Sequence, residues 1–189
     1  MMKGFIVGAI AVVFALLVGM FGITTPLIAN ALEVAQGAST AATATVQSTD
    51  GSAMVLGEAT FTETPEGLKV DLALSDVPTG FHGFHVHQFG SCDEGGVAAG
   101  GHFNPDGVKH GYLLKDGYDA AHVGDLGNVV IYSNGSGTIS VTLPDLPLTD
   151  GDRAIAGHAV ILHADRDDFG QPTGNAGGRI GCGIIELAS

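Results

Sequence analysis

The sequence predicts an all-β domain carrying two long loops. Apolar and polar residues alternate with a period of two in several short runs. Turn dipeptides containing glycine separate those runs, and no long amphipathic helix follows the N-terminal segment. Many short strands joined by Gly-rich turns make a β-sandwich or β-barrel. A length of 189 residues suggests one such domain.

The N-terminal segment stands apart from that domain. Met1 to Lys3 is a minimal positive start, and Gly4 to Leu32 contains no charged residue. Ala29-Asn30-Ala31 is a small-x-small cleavage pattern, so residues 1–31 read as a secretory signal peptide. Phe5 to Ile23 is nearly long enough to span a bilayer, so an uncleaved membrane tether through residues 4–25 is the alternative. Either way the rest of the chain is expected to be exported, to the periplasm or the extracellular space. Residues 32–41 read as a tether and 42–189 as the folded domain. The net charge of −13 makes nucleic acid a poor partner. The leader contributes Lys3 and no acid, so the remainder is more acidic still.

The elements follow in order. Ala38 to Thr49, rich in Ala, Ser and Thr, begins as tether and runs into the first strand. Thr60 to Thr64 favours strand. Leu68, Val70, Leu72 and Leu74 alternate with Lys69, Asp71, Ala73 and Ser75, as in a half-buried strand. Ile139, Val141 and Leu143 repeat the pattern, and Gly183 to Leu187 favours strand again. Asp50-Gly51, Asn134-Gly135 and Asp150-Gly151 signal turns. Gly90 to Gly127 and Ala164 to Gly178 lack the rhythm and are expected to be long loops, which in compact domains are usually functional.

Most candidate chemistry lies in or beside those loops. Of eight histidines, His85, His87, His102, His110, His122 and His163 form one metal-ligand pattern with Asp125. Together they supply two adjacent four-coordinate metals if one ligand is shared. His85 and His87 are two apart in an apolar run, so a strand would present both on one face. His102, His110, His122 and Asp125 lie in a loop too poor in apolar residues to fold by burial, and a metal would supply the missing free energy. Three His and one Asp suit closed, structural zinc. His163 ends the apolar run Ala159 to Leu162. His82 is expected to pack or to donate a hydrogen bond behind the ligands, and His158 to point outward from a strand. Cys92 and Cys182 are the two cysteines, and export permits a disulfide between them. Such a bridge would stabilise the fold by roughly 4–5 kcal/mol on the chain-entropy model.

Four segments carry a family resemblance: Gly-Phe-His-Val-His, Gly-His-Phe-Asn-Pro, His-Val-Gly-Asp-Leu-Gly-Asn and Gly-Asn-Ala-Gly-Gly-Arg-Ile-Gly-Cys-Gly. In this order, from about Ala42 to Leu187, the chain resembles the copper–zinc superoxide dismutases. The resemblance implies an eight-stranded Greek-key β-barrel, a sandwich of immunoglobulin-like kind. It implies copper on His85, His87, His102 and His163, and zinc on His102, His110, His122 and Asp125, with His102 bridging. Arg179 would receive the superoxide anion beside copper, and His102 would carry the proton to departing peroxide. Asp167 would link His85 to His110, with Asp168 the neighbouring alternative. Cys92 would pair with Cys182.

The chain also departs from the family pattern. Cys92 lies five residues after His87, a placement similar to the bacterial periplasmic branch. The spacing from His110 to His122 is a little wider than in animal and plant members. The stretch from Asp168 to Arg179 is short and lacks the extra Lys and Glu that steer substrate in animal forms, so steering would fall to Arg179 or to Lys109 and Lys115. Oligomeric state does not carry over, and a homodimer is one option. Two other classes compete. A copper-delivery module would usually lack a ligand or the arginine, and a mononuclear zinc hydrolase needs an open zinc position.

Overall fold

A computed structural model describes residues 40–189. The expected leader and most of the expected tether lie outside the described residues. Among the described residues there are nine strands: β1 Ala41–Ser48, β2 Val55–Thr64, β3 Gly67–Leu74, β4 Gly80–His87, β5 Asp125–Ile131, β6 Gly137–Leu143, β7 Ala159–His163, β8 Arg179–Ile184 and the short β9 Glu186–Leu187. An α-helical turn, α1 Leu113–Asp116, and a 3-10 turn at Val97–Ala99 both lie in the first long loop. Among the described residues no helix is long and apolar enough to cross a membrane.

The strands form one antiparallel sheet in the order β5-β4-β7-β8-β1-β2-β3-β6, with β9 pairing β1. The two ends of that path, β5 and β6, touch without pairing, so the sheet nearly closes into a barrel. Closure removes most exposed strand edge. The β3–β4 and β6–β7 connections join strands that are not neighbours, which is the Greek-key feature. The expected turns are present, and Asn134-Gly135 joins β5 to β6 with Gly135 at φ 78, a left-handed conformation that favours glycine.

Period-two alternation in β1 and β3 buries Ala42, Ala44 and Val46, and Leu68, Val70, Leu72 and Leu74. These join Phe61, Phe84, Val86, Val129, Ile131, Leu143, Val160 and Leu162 in one core. β4 and β7 differ, because they are buried on both faces. Phe84 and Val86 enter the barrel core while His85 and His87 face the other way, beneath the long loops. β-bulges re-aim the backbone between Gly83 and His85, and between Leu162 and His163.

Several expectations need correction at this level. The first loop ends at β5, which begins at Asp125 rather than after Gly127. The strand expected at Thr60 to Thr64 extends back to Val55, and Gly183 to Leu187 is split at the buried Ile185. Residues 144–158 form a third long connection that the turn signal at Asp150-Gly151 did not reveal. His158 precedes β7 and does not point outward. Its Nδ1 bonds the His87 carbonyl at 3.0 Å and its ring lies 4.1 Å from that of Phe103.

Candidate metal centre

The barrel brings the scattered histidines together. β4 pairs with β7, and β7 with β8, so that His163 lies opposite Arg179 in the ladder. An isolated β-bridge from His87 places His102 beside it. Two buried sets result: His85, His87, His102 and His163, and His102, His110, His122 and Asp125. Within each set one ligand atom per residue lies within 4.8 Å of all the others. His102 belongs to both.

The second set converges on one carboxylate. Nδ1 of His102 and of His122 lie 2.8 and 3.1 Å from Asp125 Oδ1, and Nδ1 of His110 lies 2.9 Å from Oδ2. The backbone N–H groups of Gly111 and His122 donate to the same Oδ2, each at 2.9 Å. Burial by itself would raise the Asp125 pKa, but the contacts with the His102, His110 and His122 rings and the backbone N–H of Gly111 outweigh it and hold it well below the carboxylate range.

In the first set, burial lowers the pKa of His87 to about 2 and that of His163 to about 3. Burial likewise brings His102 to about 4, against the pull of Asp125. Neutral imidazoles offer lone pairs, as metal ligands must. Nε2 of His87 and of His163 face each other at 3.3 Å, while their Nδ1 atoms turn to the carbonyls of Gly100 and Gly177. Such outer contacts fix ring orientation.

Asp167 lies between the two sets. Its Oδ2 meets His85 Nε2 at 2.8 Å and its Oδ1 meets His110 Nε2 at 3.0 Å. It is fully buried, whereas the neighbouring Asp168 is exposed and bonds only within its own loop. For His110, burial opposes protonation, but the Asp125 and Asp167 carboxylates outweigh it and raise its pKa to about 9.

These contacts leave Nδ1 of His85 and Nδ1 of His110 as buried ring nitrogens without a hydrogen bond. The second is close to Asp125 but lacks hydrogen-bond geometry. An unsatisfied buried nitrogen costs about 1–3 kcal/mol. One occurs in each set, each on a ring whose Nε2 is held by Asp167. The residues therefore fit two metals, one per set.

Above the first set lies an open cleft of about 460 Å³, lined among others by His87, His102, His163, Thr173, Asn175 and Arg179. Among the described residues Arg179 is the one Lys or Arg lining it, and neither Lys109 nor Lys115 does. Its guanidinium donates to the Gly96 carbonyl and, at 2.5 Å, to that of Gly100. Thr49 Oγ1 donates to the Arg179 carbonyl at 2.6 Å. Cys92 and Cys182 are joined by a disulfide, with Cα atoms 5.7 Å apart, which ties the first loop to β8.

A family model described as copper/zinc superoxide dismutase matches residues 55–185. The chain belongs to the copper/zinc superoxide dismutase family. A relative from Brassica juncea, named superoxide dismutase [Cu-Zn] 2, is 43% identical over 138 residues, covering 69% of this chain and 82% of the relative. Among solved structures, a double mutant of a superoxide-dismutase-like protein from Bacillus subtilis has a TM-score of 0.67 at 31% identity, covering 76% of this chain and 96% of that one. The clock protein EA4 has a TM-score of 0.65 at 35% identity, covering 79% and 94%. Copper and zinc are the family's metals, and the two histidine sets are where this chain offers ligands for them.

Sequence reasoning missed Asn128 and Gln171. Asn128 exchanges two hydrogen bonds with the backbone of Asp167, and Gln171 two with the backbone of His110. Neither residue type signals such a role. The Gly-Asn that closes the segment beginning at His122 was the one hint for Asn128.

Proposed function

We propose that His85, His87, His102 and His163 hold copper, that His102, His110, His122 and Asp125 hold zinc, and that Arg179 receives superoxide above the copper set. The chain is a superoxide dismutase, an oxidoreductase. One superoxide is oxidised to dioxygen and another is reduced, with two protons, to hydrogen peroxide. The observation that carries the assignment is the sharing of His102 between two buried sets beneath a cleft walled by one arginine.

Bound copper supplies one-electron chemistry, while zinc has no redox chemistry and serves structure. The residues do the rest. Arg179, pinned by the Gly96 and Gly100 carbonyls, presents a fixed cation to an anion entering the cleft. In a chain of net charge −13 that local focus has to overcome a repulsive field. His102 commits Nδ1 to the Asp125 side, which leaves Nε2 for the cleft side. Nε2 is the atom proposed to hold the proton passed to departing peroxide. Asp167 orients His85 and His110 through their Nε2 atoms, which leaves both Nδ1 atoms as the ones that would hold the metals.

The disulfide supports function in an oxidising compartment, outside the cytoplasm. Export by residues 1–31 is part of the proposal, with 42–189 as the working domain. The mass of the mature protein separates a cleaved leader from a retained tether, and sedimentation separates monomer from homodimer. The activity itself is tested by stopped-flow superoxide decay on residues 32–189 loaded with copper and zinc, and again with zinc alone. Fast decay in the first case only is expected. Copper binding without turnover would point instead to a delivery module.

A further inference from the structure

Loop 164–178 touches His110 at two separate points. The Asp167 carboxylate meets the ring at Nε2, at 3.0 and 3.1 Å. Four residues on, Gln171 grips the backbone of the same histidine. Its Oε1 accepts from the His110 N–H at 3.2 Å, and its Nε2 donates to the His110 carbonyl at 2.8 Å. His110 lies in a stretch without regular structure, and among the described residues no backbone group bonds to its N–H or carbonyl. Gln171 is therefore the partner of both. Buried backbone groups need such partners, and here one side chain supplies the pair.

The loop is attached to the barrel by the same device. Asn128 on β5 donates to the Asp167 carbonyl at 2.9 Å and accepts from the Asp167 N–H at 2.8 Å. Between these clamps the backbone passes close to the site. At Gly174, with φ +77, a Cβ would overlap the Asp167 carboxylate and crowd the His110 ring. The other loop ligands are held differently. His102 is held by its bridge to His87, while His122 and Asp125 hold each other.

We propose that Gln171 is a positioning residue for zinc. By fixing the His110 backbone it lets the second loop set where Nδ1 points, so zinc retention depends on a residue outside the zinc loop. This rests on the reading that His102, His110, His122 and Asp125 hold zinc. Losing an outer partner of a metal ligand typically costs about 10–100-fold in metal affinity.

The test compares the parent protein with Gln171→Ala and Gln171→Glu. Glu keeps an oxygen to accept from the His110 N–H and loses the donor to its carbonyl. Zn(II) release to a chelator and the visible ligand-field spectrum of Co(II) in the zinc set are read, with the metal-free melting temperature as control. Release is expected to quicken about tenfold or more in Gln171→Ala and less in Gln171→Glu. The Co(II) bands should shift in the same order. Parent-like release and spectra in both variants would overturn the proposal, even with a lowered melting temperature, since that pattern marks a merely structural residue. If Gln171→Ala does not fold, Gln171→Glu decides alone. A parent protein that shows no tetrahedral Co(II) bands would fail the zinc reading itself, which is a different result.

Discussion

The two ligand sets are built on different foundations. The proposed copper set takes His85 and His87 from β4 and His163 from β7, strands paired directly to each other. The proposed zinc set takes His102, His110 and His122 from the loop between β4 and β5, and Asp125 from the first residue of β5. Ladder hydrogen bonds fix the first set before any metal arrives. The second set is held by Asp125, Asp167 and side-chain amides, and a metal would complete it. A strand site and a loop site thus share one imidazole, so the rigid half can template the adaptable one.

His102→Ala should be the severest break, because it removes a ligand from both halves. Copper-dependent superoxide decay is expected to vanish and zinc content to fall, as read by stopped flow and metal analysis. Asp125→Asn should separate the halves. Zinc affinity is expected to drop by about 100-fold or more, beyond the usual loss of an outer partner, with copper still bound to the strand set in competition titrations.

A finer comparison sets Asp167→Asn against Asp168→Asn. The first weakens the link between the halves and should cost about 10–100-fold in zinc affinity, and the second should leave it unchanged. Zinc titration of the two variants checks this. Arg179→Ile touches neither half. Both metals should stay bound while the rate falls roughly tenfold and loses its salt dependence, since a steering charge has gone. An unchanged rate would remove Arg179 from the mechanism.

Much of the proposed copper set was legible in advance as a group of residues. His85 and His87 are two apart in a strand, and strand geometry alone puts them on one face. The loop histidines were legible as a group but not as a geometry. Lys109 and Lys115 were candidates for steering, yet neither lines the cleft. His158, expected to face outward, turns in to the His87 carbonyl because it sits in the turn before β7 rather than on the strand.

By itself the sequence determined the all-β class, the two long loops, the six histidines with Asp125, and, through several motifs in one order, the family. These follow from local periodicity and residue chemistry, which neighbours along the chain are enough to specify. Only the tertiary structure decided between Asp167 and Asp168, since adjacent residues share a context but point to opposite sides. One is buried between two imidazoles and the other is exposed to water. It alone also brought Asn128 and Gln171 to the backbones they clamp, 39 and 61 positions away. A neutral amide carries no sign of its partner, and contacts at such separations exist only once the barrel has closed.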